Sequence, residues 1–521
     1  MVSEKSGRLR FWVWAAVSGV VSAAVFLAAA ELMALLVARE GSPILAVGSF
    51  VIDIVPQPFK EFAIATFGEY DKIALLVGLA LAVLIASAIA GVLEYVRPPL
   101  GVIALGVAGA LSVAAILTRA GAGPLAAIPP IFGALAGGTL LWFLSARLRR
   151  WAGGAAGARA EGPASVDRRL FFRVSAIAGA AAVVVGVGAR ALINATASSI
   201  TAVRSALNLP APRSTVTVPA GAELDIPGIS PLFTPNEDFY RVDTALTVPS
   251  IDPNTWRLVI DGMVDTRVEL SFDDLVGMGL DEYAITLTCV SNEVGGPLLG
   301  TAKWHGVPVR DVLARAGVQS GADMVLSRSI DGFTASTPLE SLTDDGLDAI
   351  LAVAMNGEPL PLEHGFPVRM VVPGLYGYVS ATKWLTELKV TTFDADEAYW
   401  TPRGYSAKAP IKFSSRLDTP RTGTPVTVGR TPLAGVAWAQ TVGIERVEVS
   451  IDDGDWQAAT LSTPINDDTW VQWYLDWDAT AGTHYVTVRA VNKAGETQIE
   501  ERAPIAPDGS TGWQRSLITV R

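Results

Sequence analysis

Five long, nearly uncharged stretches crowd the first 190 residues: 11–38, 73–96, 99–118, 124–146 and 170–190. A run of about 20 apolar residues matches the hydrocarbon thickness of a bilayer. In lipid, a helix is the form in which one segment satisfies all its own backbone hydrogen bonds. The first stretch holds one charge, Glu31, and the third and fourth hold none. These runs predict a transmembrane α-helical bundle over 1–195. The apolar stretch 41–58 is broken by Asp53, Pro56 and Pro58 and reads as a re-entrant or outer-surface loop.

Charge divides the chain at the same place. Residues 1–200 carry 16 Lys+Arg and 10 Asp+Glu, a net of +6. Residues 201–521 carry 24 and 41, a net of −17. An acidic soluble half argues against a nucleic-acid partner. Orientation follows from Lys and Arg in short loops. Lys5, Arg8 and Arg10 precede the first helix, Arg97 follows the second, and Arg147, Arg149, Arg150, Arg159, Arg168 and Arg169 precede the fifth. Arg39, Lys60, Lys72 and Arg119 are spread across longer segments on the other side. The expectation is a multi-pass cell-membrane protein with a cytoplasmic N-terminus and an extracytoplasmic C-terminal part.

Residues 167–173 read Asp-Arg-Arg-Leu-Phe-Phe-Arg before an Ala/Val/Gly-rich run. The heptad resembles a twin-arginine export signal, with Asp167 in place of Ser/Thr and Arg173 in place of Lys. That route moves folded proteins, which suits a domain loaded with a cofactor before export. Positive-inside charge alone would also put arginines here.

The Ser/Thr/Pro/Ala-rich segment 196–230 reads as a linker. Residues 231–398 mix β-like runs (Trp256–Ile260, Ala284–Val290, Val368–Val372, Leu385–Thr391) with helix-like pieces (Phe272–Met278, Val309–Ala316), an α+β pattern. Over 399–521 the texture becomes all-β. Val447, Val449 and Ile451 alternate with Glu448, Ser450 and Asp452, Asp453-Gly454 reads as a hairpin turn, Trp470–Trp477 and Tyr485–Val491 read as strands, and Asn492–Gly495 as another turn. This predicts an immunoglobulin-like β-sandwich.

The chain has one cysteine, Cys289, and three histidines. An internal disulfide and a multi-cysteine zinc site are therefore excluded. Cys289 ends a β-like run within Thr-Leu-Thr-Cys-Val-Ser-Asn-Glu-Val-Gly-Gly. His364, Arg369 and Lys383 lie within twenty residues of one another, in a stretch punctuated by Pro and Gly. Such a set of donors suits a phosphate and a heteroaromatic ring.

These residues carry a resemblance. Thr234-Pro235-Asn236-Glu237-Asp238-Phe239-Tyr240-Arg241, the segment around Cys289, Met355-Asn356-Gly357-Glu358-Pro359-Leu360-Pro361, His364-Gly365-Phe366-Pro367-Val368-Arg369 and Lys383-Trp384 occur in the order found in the sulfite oxidase family of molybdenum enzymes. The likeness covers about 280 residues (231–510). It implies a multi-domain protein with a sulfite-oxidase-type molybdopterin domain over 231–398 and a dimerisation-type sandwich over 399–521. It also implies one molybdenum-molybdopterin per chain, with Cys289 as both metal ligand and catalytic residue. His364 and Arg369 would hold the pterin and its phosphate, and Ser380, Ala381, Thr382 and Lys383 would add backbone and ammonium contacts. Tyr240 and Arg241 would line the mouth of the pocket, and Ser329 and Asp331 would add a further contact. Molybdenum prefers soft sulfur donors, which a thiolate provides.

The sequence departs from the family at two places. Val242-Asp243-Thr244 stands where sulfite oxidases have Arg-Asn-His, and Phe333 stands where they have a tyrosine before the Ala-Ser-x-Pro-Leu run. The expected activity is reduction of a small-molecule sulfoxide or N-oxide; the alternatives are sulfite oxidation and a non-catalytic surface module. No cytochrome b5-like segment is present, so electrons must be exchanged with a separate quinone-linked or cytochrome partner. The resemblance also implies a homodimer through the sandwich.

Overall fold

The computed structural model describes residues 2–37, 42–44, 47–48, 66, 71–117, 123–156, 163–245 and 247–521. Most of the 41–58 stretch lies outside the described residues, as do Arg39, Lys60, Arg119 and Arg159 of the orientation argument.

The N-terminal unit consists of helices α1 (Val2–Val37), α2 (Asp71–Val96), α3 (Leu100–Leu117), α4 (Ile128–Ala156) and the first part of α5 (Pro163–Ala206). Each contains a segment long and apolar enough to cross a membrane. Small residues let the backbones meet. A Cβ on Gly19 would stand 1.9 Å from the Ser87 carbonyl oxygen, and one on Gly91 would stand 2.1 Å from that of Ala15. Gly133 and Gly137, one turn apart on α4, press in the same way against Phe26 and Ser22. Where lipid gives no hydrophobic drive between helices, such close approach supplies the packing. Val77, Leu81, Leu84 and Ile89 of α2 instead face outward. Glu94, a buried acid near the end of α2, accepts hydrogen bonds from Gly101 N and Val102 N at 3.1 Å each. It thereby serves orphan amides at the start of α3.

The arginine-rich heptad lies inside α5. Arg147 pairs with Asp167 at 2.9 Å, and Arg168 lies over the Trp151 ring at 5.9 Å. Phe171 is fully buried in a cluster of edge-on and tilted rings with Trp14, Trp151 and Phe172.

The second unit begins in the last turns of α5, and the segment expected as a linker starts within that helix. The extended chain beyond α5 is pinned repeatedly. Arg213 N donates to Leu280 O, Val216 N to the Glu282 carboxylate and Leu224 N to the Gln472 side chain.

Its α+β part has two sheets. One comprises β1 (Arg257–Gly262), β2 (Val268–Ser271), β5 (Met324–Ser329), β6 (Thr334–Pro338) and β10 (Leu385–Thr391), in the order β2-β1-β10-β5-β6. Its β1–β10 pair is parallel and the rest antiparallel. The other comprises β3 (Asp281–Thr288), β4 (Leu299–Pro308), β7 (Ile350–Met355) and β8 (Glu358–Pro359), with β9 (Arg369–Val371) added to β7. Short helices α6 (Phe272–Val276), α7 (Val309–Ala316), α8 (Leu339–Thr343) and α9 (Gly377–Ser380) connect them. Ile285, Leu287, Trp304, Ile350, Met355, Phe366 and Phe239 form the core beneath the second sheet.

The C-terminal part is the expected sandwich. One sheet pairs β11 (Ser414–Thr419), β12 (Gly429–Trp438), β16 (Val471–Ala479) and β15 (Thr460–Leu461). The other pairs β14 (Gln457–Ala458), β13 (Ile444–Ile451), β17 (Gly482–Asn492) and β18 (Gln514–Val520). The chain places two strands in one sheet and then two in the other, giving an immunoglobulin-like fold around Leu433, Val447, Val449, Trp473, Val488 and Ile518.

Candidate cofactor site

The predicted site residues come from strand ends and the turns beside them. Cys289 directly follows β3, Ser329 closes β5, Arg369 opens β9, and Lys383 and Trp384 precede β10. Met355 and Glu358 pair across the two-residue turn Asn356-Gly357, both with positive φ (51° and 84°). This Asn-Gly hairpin has the twist that two-residue loops favour.

That hairpin docks the 234–241 segment. Asn356 Nδ2 donates to Asn236 Oδ1 and to Thr234 O, both at 2.9 Å. Asn236 Nδ2 in turn donates to Glu358 at 2.7 Å, and Arg204 pairs with the other Glu358 oxygen at 2.8 Å. Asn236 O lies 3.0 Å from His364 Nε2. A carbonyl oxygen can only accept, so Nε2 carries the proton and Nδ1 is the acceptor. Burial, with Arg369 adding to it, pushes His364 down to about 4, so the ring is neutral. Phe239 fixes the ring edge-on at 5.6 Å and stacks on Tyr240 at 5.3 Å.

Arg369 is buried. Its Nη1 donates to His364 O at 3.1 Å and its Nη2 to Ala381 O at 3.5 Å, while its Nε has no partner. No carboxylate pairs with it among the described residues. Its Cζ lies 5.2 Å from the centroid of the Trp304 ring. Burial pushes it down to about 10, which leaves it cationic at neutral pH. Lys383 donates to Asp243 at 2.8 Å and to Glu363 O at 3.0 Å, and Arg241 reaches the same Asp243 oxygen at 2.9 Å. Burial pushes Lys383 down to about 8 against the pull of Asp243. Gly365, at φ 111°, lets these strands close: a Cβ there would stand 3.0 Å from that of Arg369 and 3.1 Å from that of Lys383.

Burial pushes the Tyr240 phenol up, the Cys289 sulfur adds to the rise and Arg369 opposes it. Gly377 of α9 abuts the same region, its Cβ direction meeting Thr288 O and the Tyr240 hydroxyl at 3.8 Å. Cys289 is buried and unoxidised. Burial pushes its thiol up, and hydrogen bonds from the Ser291 backbone and hydroxyl oppose the rise. The neighbouring Thr288 hydroxyl is buried without a partner.

Ser380 and Thr382 turn their hydroxyls into the fold, toward Leu375 O and Tyr376 O and toward Ser327. Ala381 offers backbone only. Ser329 and Asp331 shape the β5–β6 turn, which joins the site edge through Ile330 N and Trp384 O at 3.0 Å. Neither forms a hydrogen bond with His364 or Arg369. Phe333 ends that turn with its ring 5.7 Å from Tyr399.

An uncompensated buried guanidinium fits an anionic group, because burying a cation alone is costly. A buried thiol at a strand end fits a soft metal. Among the described residues no group of three or more His, Cys, Asp or Glu could hold a metal ion.

Over residues 245–400 the chain matches the family described as oxidoreductase molybdopterin binding domain. The match identifies an oxidoreductase molybdopterin-binding domain within the chain, and that domain implies a molybdenum-molybdopterin cofactor. The chain is 32% identical over 320 residues to mitochondrial sulfite oxidase of Homo sapiens, covering 52% of this chain and 58% of that one. It is 30% identical over 335 residues to sulfite oxidase of Gallus gallus, covering 54% and 72%. The chain belongs to the sulfite oxidase family. It spans 58% to 61% of the length of the mammalian relatives. The crystal structure of the sulfane dehydrogenase SoxCD from Paracoccus pantotrophus shares the fold, with a TM-score of 0.50 at 23% identity over 58% of this chain and 88% of that one.

Proposed function

We propose that the protein is a membrane-tethered oxidoreductase whose catalytic part faces outward and reduces a sulfoxide or N-oxide. The carrying observation is Phe333, an apolar ring in the β5–β6 turn that lies against Tyr399. The corresponding tyrosine of the sulfite oxidases could donate to a sulfite oxygen, whereas Phe333 can only offer a wall to an alkyl group. The positive-inside pattern of Lys5, Arg8, Arg10, Arg149, Arg150, Arg168 and Arg169 supports the orientation.

In this reading, buried cationic Arg369 would hold the cofactor's phosphate and neutral His364 would hold the pterin. Tyr240 remains a protonated phenol and can donate. Asp243 keeps Lys383 and Arg241 oriented at the mouth. Cys289 would supply the thiolate to the metal. When bound, the cofactor supplies oxygen-atom transfer with a two-electron change at molybdenum. Electrons come from a quinone-linked or cytochrome partner.

The second reading is sulfite oxidation, favoured by the 32% identity to the human enzyme. Steady-state rates with reduced dye plus a sulfoxide, set against sulfite plus ferricyanide, decide between them. The proposal expects the sulfoxide reaction to dominate; a tenfold faster sulfite reaction overturns it.

A further inference from the structure

The loop bearing Cys289 runs from the end of β3 to Leu299. It closes on itself through Cys289 N to Leu298 O (3.0 Å), Asn292 N to Cys289 O (3.0 Å) and Leu298 N to Asn292 Oδ1 (2.8 Å). Three side chains also hold it from outside, and all three belong to the sandwich part. Arg416 Nη1, on β11, donates to Gly296 O at 2.8 Å. Ser510 Oγ donates to Asn292 O at 2.7 Å. The Gln514 amide lies against Gly295, whose φ is 80° and whose Cβ would stand 3.0 Å from it.

Arg416 is itself locked. Its Nε reaches Asp418 at 2.6 Å and its Nη2 reaches Ser230 Oγ at 2.8 Å, while Ser230 N donates to the other Asp418 oxygen at 2.9 Å. Both charged side chains are at least nine-tenths buried. The planar fork therefore aims one nitrogen at the Cys289 loop, one at a carboxylate and one at the chain that leads to Thr234. A guanidinium with all three directions fixed has little freedom to let the loop move.

We propose that Arg416 is a positioning residue for the metal ligand. Through Gly296 O it fixes the loop that presents Cys289, so the sandwich controls the metal's sulfur ligand as well as packing or assembly. The proposal rests on Cys289 being the protein ligand.

Because Cys289 is the only thiol, its alkylation reports on this loop without background. In full-length protein made without cofactor, Arg416→Gln should raise the alkylation rate at least tenfold, and Arg416→Lys should raise it less. Ser510→Ala, which removes one hydrogen bond, should give a smaller rise and provides the test should the Arg416 variants fail to fold. Val449→Ala, in the sandwich core, should lower the thermal midpoint without raising the rate. In loaded protein, X-ray absorption at the molybdenum edge should show a longer or more disordered bond to the cysteine sulfur in Arg416→Gln. Wild-type alkylation in both Arg416→Gln and Ser510→Ala, or an equal rise in Val449→Ala, overturns the proposal. A sulfur shell in Cys289→Ser identical to wild type would instead overturn the ligand reading beneath it.

Discussion

Asp243 lies 2.8 Å from Lys383 Nζ, although 140 positions separate them along the chain, and its side chain is nearly inaccessible. The carboxylate is what lets a buried ammonium remain charged beside Arg369. Removing one partner of a buried pair leaves the other uncompensated, at a cost of about 3–5 kcal/mol.

Asp243→Asn should therefore lower the stability of the cofactor-free protein by about 3 kcal/mol, because Lys383 loses its counter-charge. Calorimetry at pH 7 checks this. An unchanged unfolding midpoint would mean that Lys383 finds water or another acceptor.

His484 should make the sandwich rim pH-sensitive. Its Nδ1 lies 2.7 Å from Asp452 and its Nε2 lies 2.9 Å from Thr480 O. Both of these partners accept, so the pair is best satisfied when both ring nitrogens carry protons. The Asp452 hydrogen bond raises its pKa above the ordinary histidine value. The unfolded value is about 6.5, so the added stability is full below that pH. It is lost as pH rises through the higher folded value. The gap in midpoint between wild type and His484→Asn should be larger at acidic pH than at alkaline pH, and should shrink in salt because the pair is exposed. A gap independent of pH would contradict the imidazolium.

Phe333→Tyr should shift the enzyme toward sulfite. A hydrogen bond to an anion is worth about 1.5–3 kcal/mol, so the ratio of sulfite oxidation to sulfoxide reduction should rise by roughly one to two powers of ten. No change in that ratio would remove Phe333 from the specificity argument.

Arg168→Lys with Arg169→Lys should leave α1 to α4 inserted and strand the C-terminal part inside. Protease treatment of spheroplasts reads this out. Undiminished cleavage of residues 200–521 from outside would reduce the pair to topology charge.

The parts of the fold legible in the sequence were those with a simple pattern. The apolar runs matched α1 to α5, the helix over 309–316 formed as expected, and the alternation read over 447–452 falls in β13 up to Ile451. β7 escaped notice because all six of its residues are buried, which leaves no alternation to read. β4 was hidden by Lys303, which forms an ion pair with Glu282 on the neighbouring strand β3, and by His305, which hydrogen-bonds to the same carboxylate. The Asn356-Gly357 turn carried a readable hairpin signal that the motif reading passed over. In the site, Cys289, His364, Arg369 and Lys383 stood out by residue type and order. Asp243 and Arg416 did not, because their partners lie 140 and 120 positions away and no spacing rule joins them.

The central claim is that Cys289 binds the molybdenum of a pterin cofactor. X-ray absorption at the molybdenum edge of full-length protein, wild type against Cys289→Ser, tests it most directly. Pterin should be retained through the distant contacts at His364, Arg369 and Lys383, one sulfur should vanish from the metal's shell, and turnover should stop. An unchanged sulfur shell, or wild-type turnover, would contradict the claim.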